Sequence, residues 1–246
     1  MKDILNISAY RFVALDDPDQ WRGAILAQAN AAGLRGTVLL AHEGINLFLA
    51  GNAQAVRGFL GWLAAQAPFA GIEAKESWSA DVPFGRLLVK VKREIIRMNQ
   101  PTVRPEQARA PAVGARTLAR WLDRGSDDTG RPIVMLDTRN AFEVEHGRFR
   151  DGVHWDLQRF SDFPAALAER AAELQGKTVV SYCTGGIRCE KAALWMAEQG
   201  MDRVWQLDGG ILKYFEDTGG THFDGSCFVF DERTALGPTL APVETM

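Results

Sequence analysis

The hydrophobic pattern at the start of the chain predicts a strand followed by a helix. Residues 4–13, ILNISAYRFV, alternate apolar and polar side chains with the period of a half-buried strand. Trp21, Ile25 and Ala29 then lie on one face of a helix, which Gly33 ends.

Two further apolar runs, residues 37–41 and 45–50, are separated by His42, Glu43 and Gly44. This pattern predicts a β-hairpin in which Gly44 adopts a positive φ. A second helix follows with its apolar residues at helical spacing, and LLVKVKREII is predicted to be the closing strand. The order β-α-β-β-α-β predicts a ferredoxin-like domain, whose antiparallel sheet leaves one face open.

The second half of the chain has a different rhythm. The short apolar runs IVMLD, VVSYC and VWQLDGG alternate with helical segments, which predicts an α/β domain with a parallel sheet. Asp137, Cys183 and Asp208 stand where these strands end, the edge at which such sheets bind ligands. We predict a ferredoxin-like domain at residues 1–100, a proline-containing linker at 101–114, this α/β domain at 115–220 and a C-terminal tail at 221–246.

Composition and charge narrow the class of protein. The 246 residues are 46% hydrophobic, and no uncharged stretch is long enough to cross a bilayer. The N-terminal MKDIL is unlike a signal peptide, so we expect a cytoplasmic protein with reduced thiols and no membrane partner. The net charge is −3, yet residues 86–120 carry nine Lys or Arg against two acids. This basic segment is either a solvated face or a docking site for a polyanion.

The sequence SYCTGGIRCEKAALWM has the pattern expected of a reactive cysteine. A buried strand leads into Cys183, paired glycines follow, and a helix begins near Arg188. Backbone N–H groups can converge there on the sulfur, and the positive helix terminus favours a thiolate, which makes Cys183 a candidate nucleophile. Arg188 is predicted to stabilise that thiolate or an anionic intermediate. The loop between them contains Thr184, Gly185, Gly186 and Ile187.

The two other cysteines have weaker signals. Cys189 is either a resolving thiol or a residue that faces the sheet, and Cys227 is predicted to be buried and unreactive. The spacing of Cys183 and Cys189 does not suit zinc, and the sequence shows neither a metal site nor a dinucleotide fingerprint.

Three segments, DTRNAFEVEHGRFRDGVH, CTGGIR and LDGGILKY, resemble the signatures of rhodanese domains. Four residues separate Cys183 from Arg188, as in the persulfide-forming branch, whereas phosphatase relatives have five. Together with GTVLLAHEGINLFLAG, FGRLLVKVKREIIRM and CFVFDER, these motifs make nearly the whole chain similar to the tRNA uridine hydroxylase family. Many members of that family continue into a cysteine-containing C-terminal extension, whereas this sequence stops after LAPVETM.

That resemblance implies oxygen-dependent conversion of the wobble uridine, position 34 of tRNA, to 5-hydroxyuridine. Cys183 matches the catalytic cysteine, molecular oxygen is the implied co-substrate, the anticodon loop is the implied partner, and no cofactor is evident. Asp137, Arg139, Cys189, His42 and Glu43 are possible supporting residues, the first two being as well suited to a structural role. The residues predicted to bind RNA phosphates are Arg86, Lys90, Lys92, Arg93 and Arg97.

Two alternatives remain from the sequence. The cysteine loop also suits a sulfurtransferase that passes sulfur from a persulfide to a thiol or cyanide acceptor. A non-catalytic RNA-binding or redox-sensing module would instead make Cys183 dispensable. No protein partner is inferred.

Overall fold

The computed structural model describes residues 3–243, which form two compact units. The segment predicted as a linker contributes residues to both units, and the predicted domain limits stay a prediction. The first unit comprises residues 3–97, Pro105–Gln107 and Phe230–Arg233, and the second comprises Met98–Arg104, Ala108–Val229 and residues 234–243.

The first unit is a five-stranded sheet with two helices, which confirms the predicted ferredoxin-like class. The strand order is β4-β1-β3-β2-β5; β5 runs parallel to β2, and the other neighbouring strands are antiparallel. Apolar side chains of the strands and of both helices form one core. The elements are β1 (Ile4–Phe12), α1 (Pro18–Ala31), β2 (Arg35–Ala41), β3 (Gly44–Asn52), α2 (Ala53–Ala64), β4 (Ala74–Ser79) and β5 (Leu87–Val91).

The prediction for the closing strand was wrong in one respect. The fourth strand of the β-α-β-β-α-β order is β4, which pairs with β1, whereas LLVKV forms a fifth strand beside β2. The sequence of β4, AKESWS, is mostly polar because the strand lies at the sheet edge, so its apolar period is too weak to detect. Lys90 and Lys92 are both exposed, and Lys92 follows the end of β5.

The second unit contains a parallel sheet of order β6-β10-β9-β7, which confirms the predicted α/β class. Strand β9 is central, and all five of its residues are buried. The first elements of the second unit are β6 (Ala112–Val113), α3 (Ala115–Arg124), β7 (Ile133–Asp137), α4 (Ala141–Val144), β8 (Gly147–Phe149), α5 (Phe163–Arg170) and β9 (Thr178–Tyr182). It continues with α6 (Ile187–Glu198), β10 (Val204–Leu207), α7 (Gly210–Thr218), β11 (Phe223–Gly225), β12 (Cys227–Phe228) and β13 (Ala235–Leu236).

The residues predicted as a C-terminal tail contain three short strands. Strand β11 pairs with β8, and β12 pairs with β13. Cys227 and Leu236 are fully buried in the core of the second unit, whereas Phe230–Arg233 of the same segment belong to the first unit. Strands of two or three residues are too short to show a period of two in the sequence. Residues 244–246 of the predicted tail lie outside the described part of the chain.

Within residues 3–243, we find no helix with both the length and the apolar character needed to cross a membrane.

We expect Gly44→Ala to destabilise the first unit. Gly44 has a φ of 141°, as its place in the predicted turn requires, and a Cβ there would lie 2.0 Å from the carbonyl oxygen of Arg11. The strained backbone alone costs about 1–3 kcal/mol. The midpoint of urea unfolding should therefore fall.

Gly58→Ala is the matched control. Gly58 lies in α2, and nothing lies within 4 Å of an added Cβ there. Replacing this helical glycine should raise the free energy of unfolding by about 0.5–1 kcal/mol. Equal midpoints for the two variants would show that the turn tolerates a side chain.

Candidate active site

Cys183 lies directly after the central strand β9, and its side chain is fully buried. The chain then turns through Thr184, Gly185 and Gly186 into α6. Gly186 has a φ of 104°, and its N–H group points to the Cys183 sulfur at 3.2 Å. The strand, loop and helix therefore form the corner predicted from the sequence, with the sulfur at the N-terminal end of the helix.

The environment of Cys183 stabilises a thiolate. Burial alone would raise the pKa of this thiol, because desolvation penalises the charged form. The hydrogen bond from the Cys189 side chain, the charge of Arg188 and the N–H groups of Cys189 and Arg188 outweigh burial and hold the pKa well below its ordinary value. The fold thus favours the thiolate form of this buried sulfur, which is the form that a cysteine nucleophile requires.

Cys189 lies in the first turn of α6 and helps to stabilise the Cys183 thiolate. Burial, followed by its hydrogen bond to Cys183 and the charge of that sulfur, raises the pKa of Cys189 well above its ordinary value. Cys189 therefore stays protonated, and its Sγ lies 2.9 Å from the carbonyl oxygen of Gly186. Its Sγ also lies 4.0 Å from the carbonyl oxygen of Leu207 in β10, so the side chain faces the sheet, and a role as a resolving thiol stays a prediction.

Arg188 is held by Glu143, a residue that is not among the predicted site residues. Its guanidinium makes two hydrogen bonds to the Glu143 carboxylate, one of them 2.7 Å long, and Glu143 is fully buried. Thr184 Oγ1 lies 3.4 Å from the same carboxylate. In the sequence, Glu143 belongs to the pattern N-x-x-E, in which it forms a capping box with Asn140. This pattern predicts the start of a helix and does not indicate a partner for Arg188.

Asp137 and Arg139 form a second buried pair beside the loop. Arg139 donates to Asp137 through its backbone N–H, Nε and Nη2, the last at 2.6 Å, and it also donates to the carbonyl of Gly147 at 2.7 Å. Both side chains are at most 1% exposed. These contacts support the structural alternative, in which the pair holds the end of β7 and the start of β8.

The Asp208-Gly209-Gly210 turn anchors the cysteine loop from the other side. The N–H groups of Ile211 and Leu212 donate to the carbonyls of Cys183 and Thr184 at 2.9 and 3.1 Å. A Cβ on Gly210 would lie 2.5 Å from the Cys183 carbonyl oxygen. The glycine allows the N-terminus of α7 to approach the loop closely, as expected of a scaffold.

Cys227 lies near this site but is not activated. Burial raises the pKa of its thiol to about 12, despite the nearby charge of Arg139 and a hydrogen bond with Thr184. Cys227 is therefore an unreactive thiol, as the sequence predicts.

His42 and Glu43 lie in the first unit, where their side chains contact its own backbone. The Nδ1 atom of His42 is 2.8 Å from the carbonyl oxygen of Leu15, and Glu43 accepts a hydrogen bond from the N–H of Ile95 at 2.7 Å. A role for them at the cysteine stays a prediction. The residues predicted to bind RNA are all exposed in the same unit, namely Arg86, Lys90, Lys92, Arg93 and Arg97.

Metal chemistry has no evident ligand set in the part of the chain that is described. Among residues 3–243, we find no group of three or more His, Cys, Asp or Glu side chains placed to hold a metal ion.

Each of the two units matches the model of a known protein domain. Residues 4–95 match the model of the UPF0176 acylphosphatase-like domain, and residues 117–217 match that of the rhodanese-like domain. The tRNA uridine(34) hydroxylase of Bordetella avium is 62% identical over 98% of this chain and 99% of its own. The chain belongs to the tRNA uridine(34) hydroxylase family.

Longer members of this hydroxylase family match as well. The tRNA uridine(34) hydroxylase of Cupriavidus necator is 61% identical over 97% of this chain and 85% of its own. Among solved structures, a Saccharomyces cerevisiae homologue of single-domain rhodanese and the Cdc25 phosphatase catalytic domain is 22% identical. It covers 47% of this chain and 87% of its own, with a TM-score of 0.40.

We expect the wild-type protein to show thiolate absorbance in the ultraviolet at neutral pH, and Cys183→Ser to abolish it. Because the pKa of Cys183 is lowered, the thiolate should persist as the pH falls through the range where an ordinary thiol, with a pKa of about 8.5, becomes protonated. A pH titration of the absorbance difference between the two proteins measures this.

Cys227→Ser is the control, because a thiol whose pKa is about 12 contributes no thiolate at neutral pH. Identical spectra for wild type and Cys183→Ser at neutral pH would contradict the thiolate assignment.

Proposed function

We propose that this chain is an oxidoreductase that converts the wobble uridine of tRNA, position 34, to 5-hydroxyuridine with molecular oxygen. The observation that carries the proposal is the buried, ionised Cys183 in a chain 62% identical to a tRNA uridine(34) hydroxylase over nearly its full length. Such a substrate would place the protein in the cytoplasm, where its thiols stay reduced.

In the proposed reaction, the Cys183 thiolate adds to C6 of the uracil ring. The S–C6 bond forms as the C5=C6 electron pair moves towards C5 and the O4 carbonyl, which makes C5 electron-rich. C5 then takes one oxygen atom from dioxygen. Loss of the C5 proton and of the sulfur restores the ring, and the second oxygen atom leaves as water, which requires two electrons and two protons from a reductant.

The protein's own groups support this chemistry at the sulfur. The N–H of Gly186 and the positive charge of Arg188 stabilise the thiolate before it adds and after it leaves. Glu143 holds the guanidinium in place through two hydrogen bonds. The dry surroundings exclude water as a competing reactant.

The rival proposal is sulfur transfer through a Cys183 persulfide. The N–H groups that stabilise a thiolate would stabilise the outer sulfur of a persulfide as well, and the match to a rhodanese-like domain is compatible with this chemistry. The two proposals differ in their product: one modifies RNA, and the other passes sulfur to an acceptor.

We expect wild type to restore 5-hydroxyuridine-derived nucleosides to the tRNA of a deletion strain, and Cys183→Ser to leave them at background. The serine hydroxyl cannot form the nucleophile at neutral pH. Mass spectrometry of digested tRNA measures the nucleosides, and Cys227→Ser should behave as wild type because its thiol is protonated.

Thiosulfate sulfurtransferase activity should be measured on the same purified variants. Robust sulfur transfer by wild type together with unchanged nucleosides in the deletion strain would favour the rival. Full nucleoside levels with Cys183→Ser would favour a module that binds RNA without catalysis.

Charge reversal of Lys90 and Lys92 to Glu should weaken tRNA binding and its dependence on salt. Both side chains are exposed, and each phosphate contact contributes about 0.7 to the slope of log affinity against log salt for single strands. Loss of two contacts should reduce that slope by about 1.4. Fluorescence anisotropy over a salt series measures it.

The control carries the same charge change elsewhere, in the double variant Arg57→Glu with Arg159→Glu. Their side chains are 57% and 73% exposed and lie outside the predicted RNA-binding set. An equal loss of binding in both double variants would show that net charge alone accounts for the effect. That result would contradict an RNA-binding site at Lys90 and Lys92.

A further inference from the structure

Two cysteine sulfurs of the second unit flank the same residue of the cysteine loop. The N–H of Gly186 points to the Cys183 Sγ at 3.2 Å, and the Sγ of Cys189 lies 2.9 Å from the carbonyl oxygen of Gly186. The Cys189 thiol also lies within hydrogen-bonding reach of the Cys183 sulfur. Both side chains are fully buried, so the two sulfurs form one close pair inside the site.

The two sulfurs of this pair differ in protonation. The loop favours the thiolate of Cys183, whereas burial, followed by the hydrogen bond to Cys183 and the charge of that sulfur, raises the pKa of Cys189 well above its ordinary value. A thiolate is a nucleophile, and a thiol is a much weaker one. At rest, Cys183 is therefore the reactive sulfur, and Cys189 holds a proton beside it.

This difference changes once Cys183 is bonded to carbon. A thioether sulfur carries no charge, so bond formation at Cys183 removes one of the causes that raise the pKa of Cys189. The charge of Arg188, which lowers the pKa of Cys189, stays in place because Glu143 holds the guanidinium. Bond formation at Cys183 therefore makes Cys189 a stronger acid, and its sulfur becomes available as a second nucleophile.

The proposed hydroxylation has an electron requirement that this pair can meet. One oxygen atom of dioxygen enters the ring, the other leaves as water, and the balance needs two electrons and two protons. Conversion of two thiols to one disulfide releases the same number of electrons and protons, counting the proton that Cys183 gives to solvent when it ionises. A buried thiolate with a second thiol against it is therefore a reductant within the site.

We propose that Cys183 and Cys189 form a dithiol–disulfide couple that supplies the two electrons for hydroxylation of the wobble uridine. This inference rests on the proposed function, since it assigns the electron source of that reaction. Cys189 is then a catalytic residue that reacts with the oxygen bound at C5. A soluble dithiol reduces the disulfide after each turnover by thiol–disulfide exchange.

The atoms and electrons balance as follows. Dioxygen adds to C5 of the Cys183 adduct, and the resulting peroxide anion takes the proton of Cys189. The Cys189 thiolate attacks the outer oxygen, the O–O bond breaks with its electron pair on the inner oxygen, and Cys189 becomes a sulfenic acid. The inner oxygen gains a proton as C5 loses one, the C5=C6 bond re-forms, and Cys183 leaves as a thiolate. Cys183 then attacks the Cys189 sulfur, the S–S bond forms, and hydroxide leaves and is protonated to water.

The test is a single round of reaction by the full chain in its reduced form. The protein is mixed with an anticodon stem-loop RNA and oxygenated buffer that contains no other reductant. We expect about one 5-hydroxyuridine and about one disulfide per active chain, and free thiols when the RNA is omitted. Trypsin cleaves after Arg188, between the two cysteines, so the disulfide joins two peptides that mass spectrometry identifies.

Three results of this experiment overturn the proposal. The first is product that forms while Cys183 and Cys189 both stay free thiols. The second is a disulfide that includes Cys227 in place of Cys189. The third is a Cys183–Cys189 disulfide that forms equally fast without RNA, because the oxidation is then not coupled to the reaction.

Cys189→Ser tests the second sulfur directly. The serine hydroxyl still offers a hydrogen bond to Cys183, but it cannot form a disulfide, so product of the single round should fall to background. The thiolate absorbance of Cys183 should persist in this variant, which verifies that the loop is intact. Cys227→Ser is the matched control and should give wild-type product and disulfide, because burial raises the pKa of its thiol to about 12. Wild-type product from Cys189→Ser overturns the proposal.

An added dithiol separates this inference from the proposed function. Wild type with excess dithiothreitol and oxygen should make many 5-hydroxyuridines per chain, since the disulfide is reduced after each turnover. Absence of product under these conditions defeats the proposed function. Product under these conditions, together with free thiols after the single round without dithiothreitol, defeats only the assignment of the electron source.

Discussion

A negative charge on a fully buried sulfur is the constraint on which the second unit depends. Moving an anion out of water is costly, and Cys183 is fully buried. Its charge is tolerated because the N–H of Gly186 points at the sulfur and the guanidinium of Arg188 lies near it. These groups are already oriented in the folded protein, so the site does not need to reorganise when the sulfur gains or loses charge.

The cation that helps the sulfur must itself be stabilised, and this links distant parts of the chain. Arg188 is 5% exposed, so it requires a carboxylate, which Glu143 supplies from 45 residues earlier. Burial would lower the pKa of Arg188, but the charge and hydrogen bonds of Glu143 raise it, so the guanidinium stays protonated. Breaking such a pair leaves one buried charge without compensation, which is why its partners must be positioned as firmly as the sulfur.

The sequence predicts the parts of this site that depend on local chain geometry. A buried strand, a cysteine, two glycines and a helix occur within one short segment, so the corner at Cys183 follows from nearby residues. The partnership of Glu143 with Arg188 could not be derived in this way, because its sequence context indicates only a helix cap.

The same limits apply to the first unit. The hairpin with Gly44 follows from two strong apolar runs and a glycine that only a positive φ explains. Strand β4 is polar and lies at the sheet edge, so its sequence pattern does not distinguish it from a loop. It is identified as a strand by its pairing with β1 in the structure. In both units, the features that the local sequence pattern does not encode are therefore pairings between residues far apart in the chain.

The cysteine cradle alone does not choose between hydroxylation and sulfur transfer. Convergent N–H groups and a buried arginine stabilise negative charge on any sulfur species, whether a thiolate that attacks a base or the outer sulfur of a persulfide. The choice of reaction must then come from whatever brings an acceptor to the sulfur. A small thiol acceptor needs only access, whereas a nucleobase needs a surface that replaces the stacking it loses on leaving the RNA loop.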